Sequence, residues 1–340
     1  MNRITRRTSL RTVLLGAAAS VAAPGIARAA EKVSIRLKWL PQGQFAGYYV
    51  AKAKGYYEAN GLDVTINPGG PNLNSEALVA AGSDTFGVGG GSDSILFARA
   101  KNLPLVSLAM MFQGSATVFV SRKSSGIVEP KDFKGKKVGT WFTGAQYLTF
   151  AMMAKAGLSP SDATIVPQPA TNTPFINGEL DVLTTVNYNT LIALERTIPA
   201  AELNYIYPEK YGLSTFKDPL ITSEKVISDK PATVQNFMNA SMKGWRYAVM
   251  NKAETVDILL KAGGPALERK HQEAMMDVIA SLVLAGAGKA KGVGYTDKAA
   301  IMKEQDALLE LKALTEKVDI EKAFNTSFWD AVPKADKEVA

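Results

Sequence analysis

The 340-residue chain has no cysteine and a single histidine, His271. The first absence removes a disulfide framework, a thiolate metal site, a cysteine nucleophile and an acylated cysteine behind a leader. Together the two leave too few donors for a zinc or iron centre, so no metal and no cofactor is expected. His271 lies in Glu268-Arg269-Lys270-His271-Gln272-Glu273, a charged run that reads as the solvated face of a helix. Long hydrophobic runs are missing too. The apolar stretch over 13–23 is shorter than the ~20 residues that span a bilayer.

What is present begins with an export signal. Thr5-Arg6-Arg7-Thr8-Ser9-Leu10-Arg11 resembles a twin-arginine motif, the apolar stretch follows, and Ala27-Arg28-Ala29 is a small-x-small cleavage site. Residues 1–29 are therefore expected to be removed, leaving a mature chain that begins at Ala30. Removal takes away five arginines (Arg3, Arg6, Arg7, Arg11 and Arg28) and no acid, so 34 basic residues then face 32 acidic ones. Such a balance implies no nucleic-acid partner. With no cysteine for a lipid tether, the mature protein is expected free in the periplasm of a two-membrane bacterium.

Strand and helix patterns alternate from Ile35 to about Tyr207, an α/β order. Val33, Ile35 and Leu37 form a short strand ending at Trp39. A Pro41-Gln42-Gly43 turn then leads to a helix opening near Phe45 and running to Gly55. Strands over 63–66, 85–89 and 105–111 alternate with helices over 75–81 and 92–100. A second series has strands over 117–121, 137–141, 164–166 and 180–186, with helices over 145–156 and 190–197. Beyond Tyr207 the pattern reads as almost wholly helical. Its clearest face is Val234, Phe237, Met238, Ser241, Trp245 and Ala248, with Asp229 and Pro231 as the start signal.

Several phrases carry a resemblance: Trp39-Leu40-Pro41-Gln42, Phe45-Ala46-Gly47-Tyr48-Tyr49-Val50-Ala51, Lys54-Gly55-Tyr56-Tyr57 and Gly61-Leu62-Asp63-Val64. With matches continuing to about Gly244, the chain resembles the solute-binding proteins of ABC importers. The similar branch is that of thiamine-precursor pyrimidine, riboflavin and sulfonate binders. The resemblance implies a two-lobed periplasmic binding protein of type II, each lobe an open sheet flanked by helices, with two hinge crossings. Residues 30–117 and 212–340 would form one lobe and 118–211 the other. A monomer is implied, capturing a small molecule and docking on a membrane permease powered by an ATPase.

Ligands of open α/β sheets sit beyond the carboxyl ends of the strands. Trp39, Gln42, Gln44 and Phe45 fall there, and of the two amides Gln42 is favoured for ligand contact because it follows Pro41, whose fixed φ holds the turn. Gly87-Val88-Gly89-Gly90-Gly91-Ser92-Asp93-Ser94 lacks the third glycine of a dinucleotide fingerprint and any following Lys-Ser/Thr. It leaves a close-approach turn at Gly90, with Ser92 as N-cap or ligand contact and Asp93 as cap or acceptor for a ligand amine. Gln113, at the first crossing, is read as a ligand contact with the hinge as the alternative. Trp141 mirrors Trp39 from the second series, so the two are expected to hold a planar ring between them. Asn187, Tyr188 and Asn189 follow the strand over 180–186.

Family members often carry an acid just after the corresponding Tyr-Asn; here Thr190 stands there, which argues against an aminopyrimidine. The expected ligand is a planar heteroaromatic solute, a thiamine-precursor pyrimidine or riboflavin-like, with an aliphatic sulfonate or similar anion as the alternative. Pyrimidine synthases resembling this fold use a histidine of their own chain and an iron-associated cysteine cluster. Phe45 stands at the histidine's place and cysteine is absent, so no catalytic residue is assigned.

Overall fold

The structure, a computed structural model, describes residues 29–339, and the twin-arginine motif and apolar stretch lie outside the described residues. Among the described residues, ten strands form two five-stranded sheets. The first contains β1 (Glu31–Arg36), β2 (Leu62–Asn67), β3 (Phe86–Val88) and β4 (Leu105–Phe112). The second contains β5 (Thr117–Arg122), β6 (Lys137–Thr140), β7 (Thr164–Pro167), β8 (Val182–Val186) and β9 (Leu203–Ile206). The last strand, β10 (Lys217–Ser223), returns to the first sheet, giving orders β2-β1-β3-β10-β4 and β7-β6-β8-β5-β9.

The two orders are the same design. Each sheet has three parallel strands and then one antiparallel strand, β10 or β5, delivered straight from a crossing. The chain changes sheets at residues 113–116 and 207–216, so each crossing anchors in the interior of the sheet it enters. This is the two-lobed α/β fold. All eight residues of β4 are buried although it closes one edge of its sheet. The C-terminal segment covers that edge: Met110 N donates to Gly294 O, and Asn325 N donates to Ser107 O.

The strand β10 corrects the helical reading beyond Tyr207. Pro219 has no N–H to give a ladder, so a strand containing it is normally demoted to an edge. Here a register shift next to it and a left-handed Asp218 (φ 57°) let the strand pair on both sides. The helix Pro231–Met250 buries its expected face, but Pro231 is its first residue and Asp229 instead ends a separate short helix, Glu224–Asp229. It packs on the helix Ala46–Ala53 at van der Waals limit. A Cβ on Gly47 would lie 2.1 Å from the Trp245 ring, and one on Gly244 would lie 2.2 Å from Gly47 O. No helix among the described residues is long and apolar enough to cross a membrane.

Candidate functional site

Between the sheets, where the carboxyl ends of both strand sets converge, lies a narrow cavity of ≈ 70 Å³. Both lobes line it. The first contributes Lys38, Trp39, Gln42, Gln44, Gly90 and Lys217, and the second Trp141, Thr143, Ala145, Tyr188, Asn189 and Thr190, with Ala116 and Thr117 at the crossing. Of the residues expected from the sequence, Trp39, Gln42, Gly90, Trp141, Tyr188 and Asn189 are brought together here.

The remaining expectations are corrected. Phe45 is fully buried in the first-lobe core, because the short 3-10 turn Gly43–Phe45 rotates its ring inward. Ser92 is fully buried and faces away from the cleft, its hydroxyl 2.5 Å from a Glu304 carboxylate oxygen. The N-cap of the helix Ser92–Ala100 is Gly91, whose N–H donates to Ser94 Oγ. Gly90 N donates to Glu76, so a protein carboxylate already occupies that helix start. Asp93 is 1 % exposed and pairs with Lys217. Gln113 donates to Met110 O and Tyr295 O, which makes it a tie at the crossing. Asn187 does not line the cavity; its N–H closes the second sheet on Ala116 O.

The two tryptophans do face each other across the cleft. Their rings touch edge-to-face, with centroids 5.3 Å apart and planes at 70°. A ring sandwiched between parallel faces needs centroids about 7 Å apart, twice a van der Waals spacing. The pair must therefore part and rotate to hold one, so the sandwich expected from the sequence is not the arrangement present. Trp141 is also fixed by its indole N–H, which donates to Pro169 O at 3.1 Å.

The cleft floor is a polar chain that sequence reading missed in part. Gln42 donates to Gln44, Gln44 donates to Asp218 Oδ2, each at 2.7 Å, and Lys38 pairs with the same carboxylate. Burial pushes the Asp218 carboxyl up from its ordinary value, and Lys38 opposes that shift. Lys217 Nζ lies 3.3 Å from both Asp93 oxygens. The wall thus carries two ammonium groups and no carboxylate of its own, since both counter-ions sit behind it. Burial raises the Tyr188 phenol well above its ordinary pKa, with Asp218 adding to the effect, so it stays neutral.

His271 corrects the surface reading. Its Nε2 lies 2.8 Å from Asn189 Oδ1, joining the first-lobe helix Arg269–Val283 to the second lobe, and Arg196 pairs with Glu268 beside it at 2.9 Å. Asn189 Oδ1 only accepts, so Nε2 carries the proton. Burial, then Arg196, lower the His271 pKa, with Glu268 opposing. The contact therefore holds a neutral ring. Closure is fully supported above the ordinary histidine pKa of about 6.5 and weakens as pH falls through it, because the open or unfolded chain takes up the proton first. We expect ligand affinity to fall between about pH 7.5 and about pH 5.5, and His271→Gln to flatten that dependence. Equal slopes for both proteins, measured by calorimetry, would remove His271 from closure.

The molecule resembles known proteins in sequence and in fold. "Riboflavin-binding protein RibY" of Chloroflexus aurantiacus is 24% identical over 319 residues, covering 90% of this chain and 88% of the relative. The Saccharomyces cerevisiae "4-amino-5-hydroxymethyl-2-methylpyrimidine phosphate synthase THI13" is 24% identical over 288 residues, covering 80% and 84%. Among solved structures, the alkanesulfonate-binding protein SsuA of Xanthomonas axonopodis pv. citri bound to MOPS superposes with a TM-score of 0.63 at 17% identity, covering 87% of this chain and 98% of that one. The family model described as NMT1/THI5 like matches residues 42–255. The chain is therefore a member of the NMT1/THI5-like family, built on the fold of the periplasmic binding proteins.

Proposed function

We propose that the protein is the solute-binding subunit of an ABC importer, working in the periplasm without catalysing a reaction, and that its ligand is a flat heteroaromatic ring bearing carbonyl-type acceptors. One observation carries the choice of ligand: the cleft presents aromatic faces with two lysines and no carboxylate on its wall. Lysine offers donors only, so an acceptor at the ring edge is recognised, whereas an exocyclic amine finds no acid to accept from it. Thr190, where relatives often carry an acid, lines the cavity, and its hydroxyl oxygen accepts from Val186 N at 2.9 Å. A riboflavin-like dione fits this pattern better than an aminopyrimidine. A bare sulfonate could take the same lysine donors but would leave the aromatic walls unused.

Ligand favours closure because only the closed arrangement touches it from both lobes. The closed form then presents one composite surface to a permease. A synthase reading lacks its parts in this chain: Phe45, at the place of the family's own-chain histidine, is a core residue, and there is no cysteine. The test is native mass spectrometry of protein purified without refolding, followed by calorimetry with riboflavin, a thiamine-precursor aminopyrimidine and an alkanesulfonate. Riboflavin is expected to bind tightest and to quench tryptophan fluorescence. Tighter binding of the aminopyrimidine, or turnover of any of the three, overturns the reading.

A further inference from the structure

Behind the cleft, beyond the Lys217–Asp93 pair, lies a second and larger cavity of ≈ 220 Å³. Tyr147, Leu148 and Ala151 of the second-lobe helix Ala145–Lys155 form one wall. The second crossing, residues 212–216, forms another, and Glu304 and Leu308 of the first-lobe helix Lys298–Glu310 close it. Two residues that line it each hold a polar atom with almost no exposed surface and, among the described residues, no hydrogen-bond partner: Glu304 Oε1 and Thr215 Oγ1. Thr215 is 4 % exposed as a whole. The second Glu304 oxygen is satisfied by Ser92 Oγ.

The charges do not cancel locally. Among the described residues Asp93, on the same cavity, pairs with Lys217, and Glu304 has no salt-bridge partner of its own. Lys303 stands on the exposed rim, where water screens it, and half-buried Tyr147 is kept neutral by burial. A buried carboxylate without a counter-charge is costly and takes up either a proton or a cation. Burial, and next the neighbouring Asp93, push the Glu304 pKa well up, against Ser92 and Lys217, so a proton serves when no cation does. A divalent metal needs six or more oxygen ligands, and no metal-holding cluster occurs among the described residues.

We propose that this cavity is a second binding site, for a small organic ammonium ion whose nitrogen bonds Glu304 Oε1 and Thr215 Oγ1 and whose hydrocarbon part lies against Leu148, Ala151 and Leu308. An ammonium group supplies both missing donors and the missing charge, whereas a neutral hydroxyl supplies only a donor. Since the walls come from both lobes and the crossing, the occupant makes its full contacts only when the lobes are closed. By linkage it strengthens cleft binding, and cleft binding strengthens it by the same factor.

The test uses the whole protein and butylammonium chloride, with butan-1-ol as the neutral isostere, titrated by calorimetry in two buffers of different ionisation enthalpy. Saturable binding of butylammonium is expected, with release of up to about one proton as the cation displaces it from Glu304. Glu304→Gln should weaken that binding roughly tenfold to a hundredfold, as loss of a hydrogen bond to a charged group does. Ala307→Phe, which fills the cavity and leaves the carboxylate in place, should abolish it. Equal binding of butanol, no effect of Ala307→Phe, or no saturable heat with the wild-type protein each overturns the site. These readouts stand even if Glu304→Gln fails to fold.

Discussion

Gly90→Val is expected to weaken ligand binding on the order of 100-fold while leaving the ligand-free protein folded. At this position the lobes meet backbone to backbone. A Cβ built on Gly90 falls 3.2 Å from Gly144 Cα and 3.0 Å from Ser94 Oγ, and one on Gly144 falls 3.1 Å from Gly90 Cα. A first methyl group already forces a shift, and the two further carbons of valine need still more room. The φ of Gly90 is not in the left-handed region, so the contact with Gly144 puts a cost on closure, and the contact with Ser94 inside the same lobe adds a smaller cost to folding. If closure becomes about a hundred times less populated, apparent affinity falls by the same factor. Gly144→Ala should act in the same direction from the other lobe, with an added folding penalty because Gly144 has φ +122°. Small-angle scattering should show the wild type contracting with ligand and Gly90→Val remaining extended. Normal affinity and normal contraction in the valine variant would mean that the lobes can close around the added side chain.

The second large effect is expected at the tryptophans. Trp39→Ala and Trp141→Ala should each weaken binding by about 1–3 kcal/mol, since burial is lost together with a ring–ring contact. Their costs to the free protein should differ. Trp39 is only partly buried at the edge of its lobe core, whereas Trp141 is 7 % exposed and anchors the segment at Pro169 by a hydrogen bond. Trp141→Ala should therefore lower the melting temperature and Trp39→Ala should not. Trp141→Phe, which keeps a ring and loses the indole N–H, separates the anchor from the ligand contact. Two alanine variants that bind normally would show that the rings only touch each other and never the solute.

The α/β alternation, the order of strands through β8 and the aromatic pair at matching turns were legible in the sequence because each is local. Period-two and i, i+3, i+4 patterns report which face of one element is buried, and a turn after a strand reports where its carboxyl end lies. What escaped was decided by partners far away in the chain. Lys38, Lys217 and Asp218 join the amides of the cleft floor only because β10 returns between β3 and β4, and Pro219 hides that strand from any local rule. Ser92 and Asp93, read as cleft residues, belong to the opposite side because the helix they begin turns them toward Glu304 and Lys217. A charged run places His271 on a surface. Whether that surface meets water or the other lobe depends on how two sheets close on each other, and long-range packing fixes that, not the residues beside it in the chain.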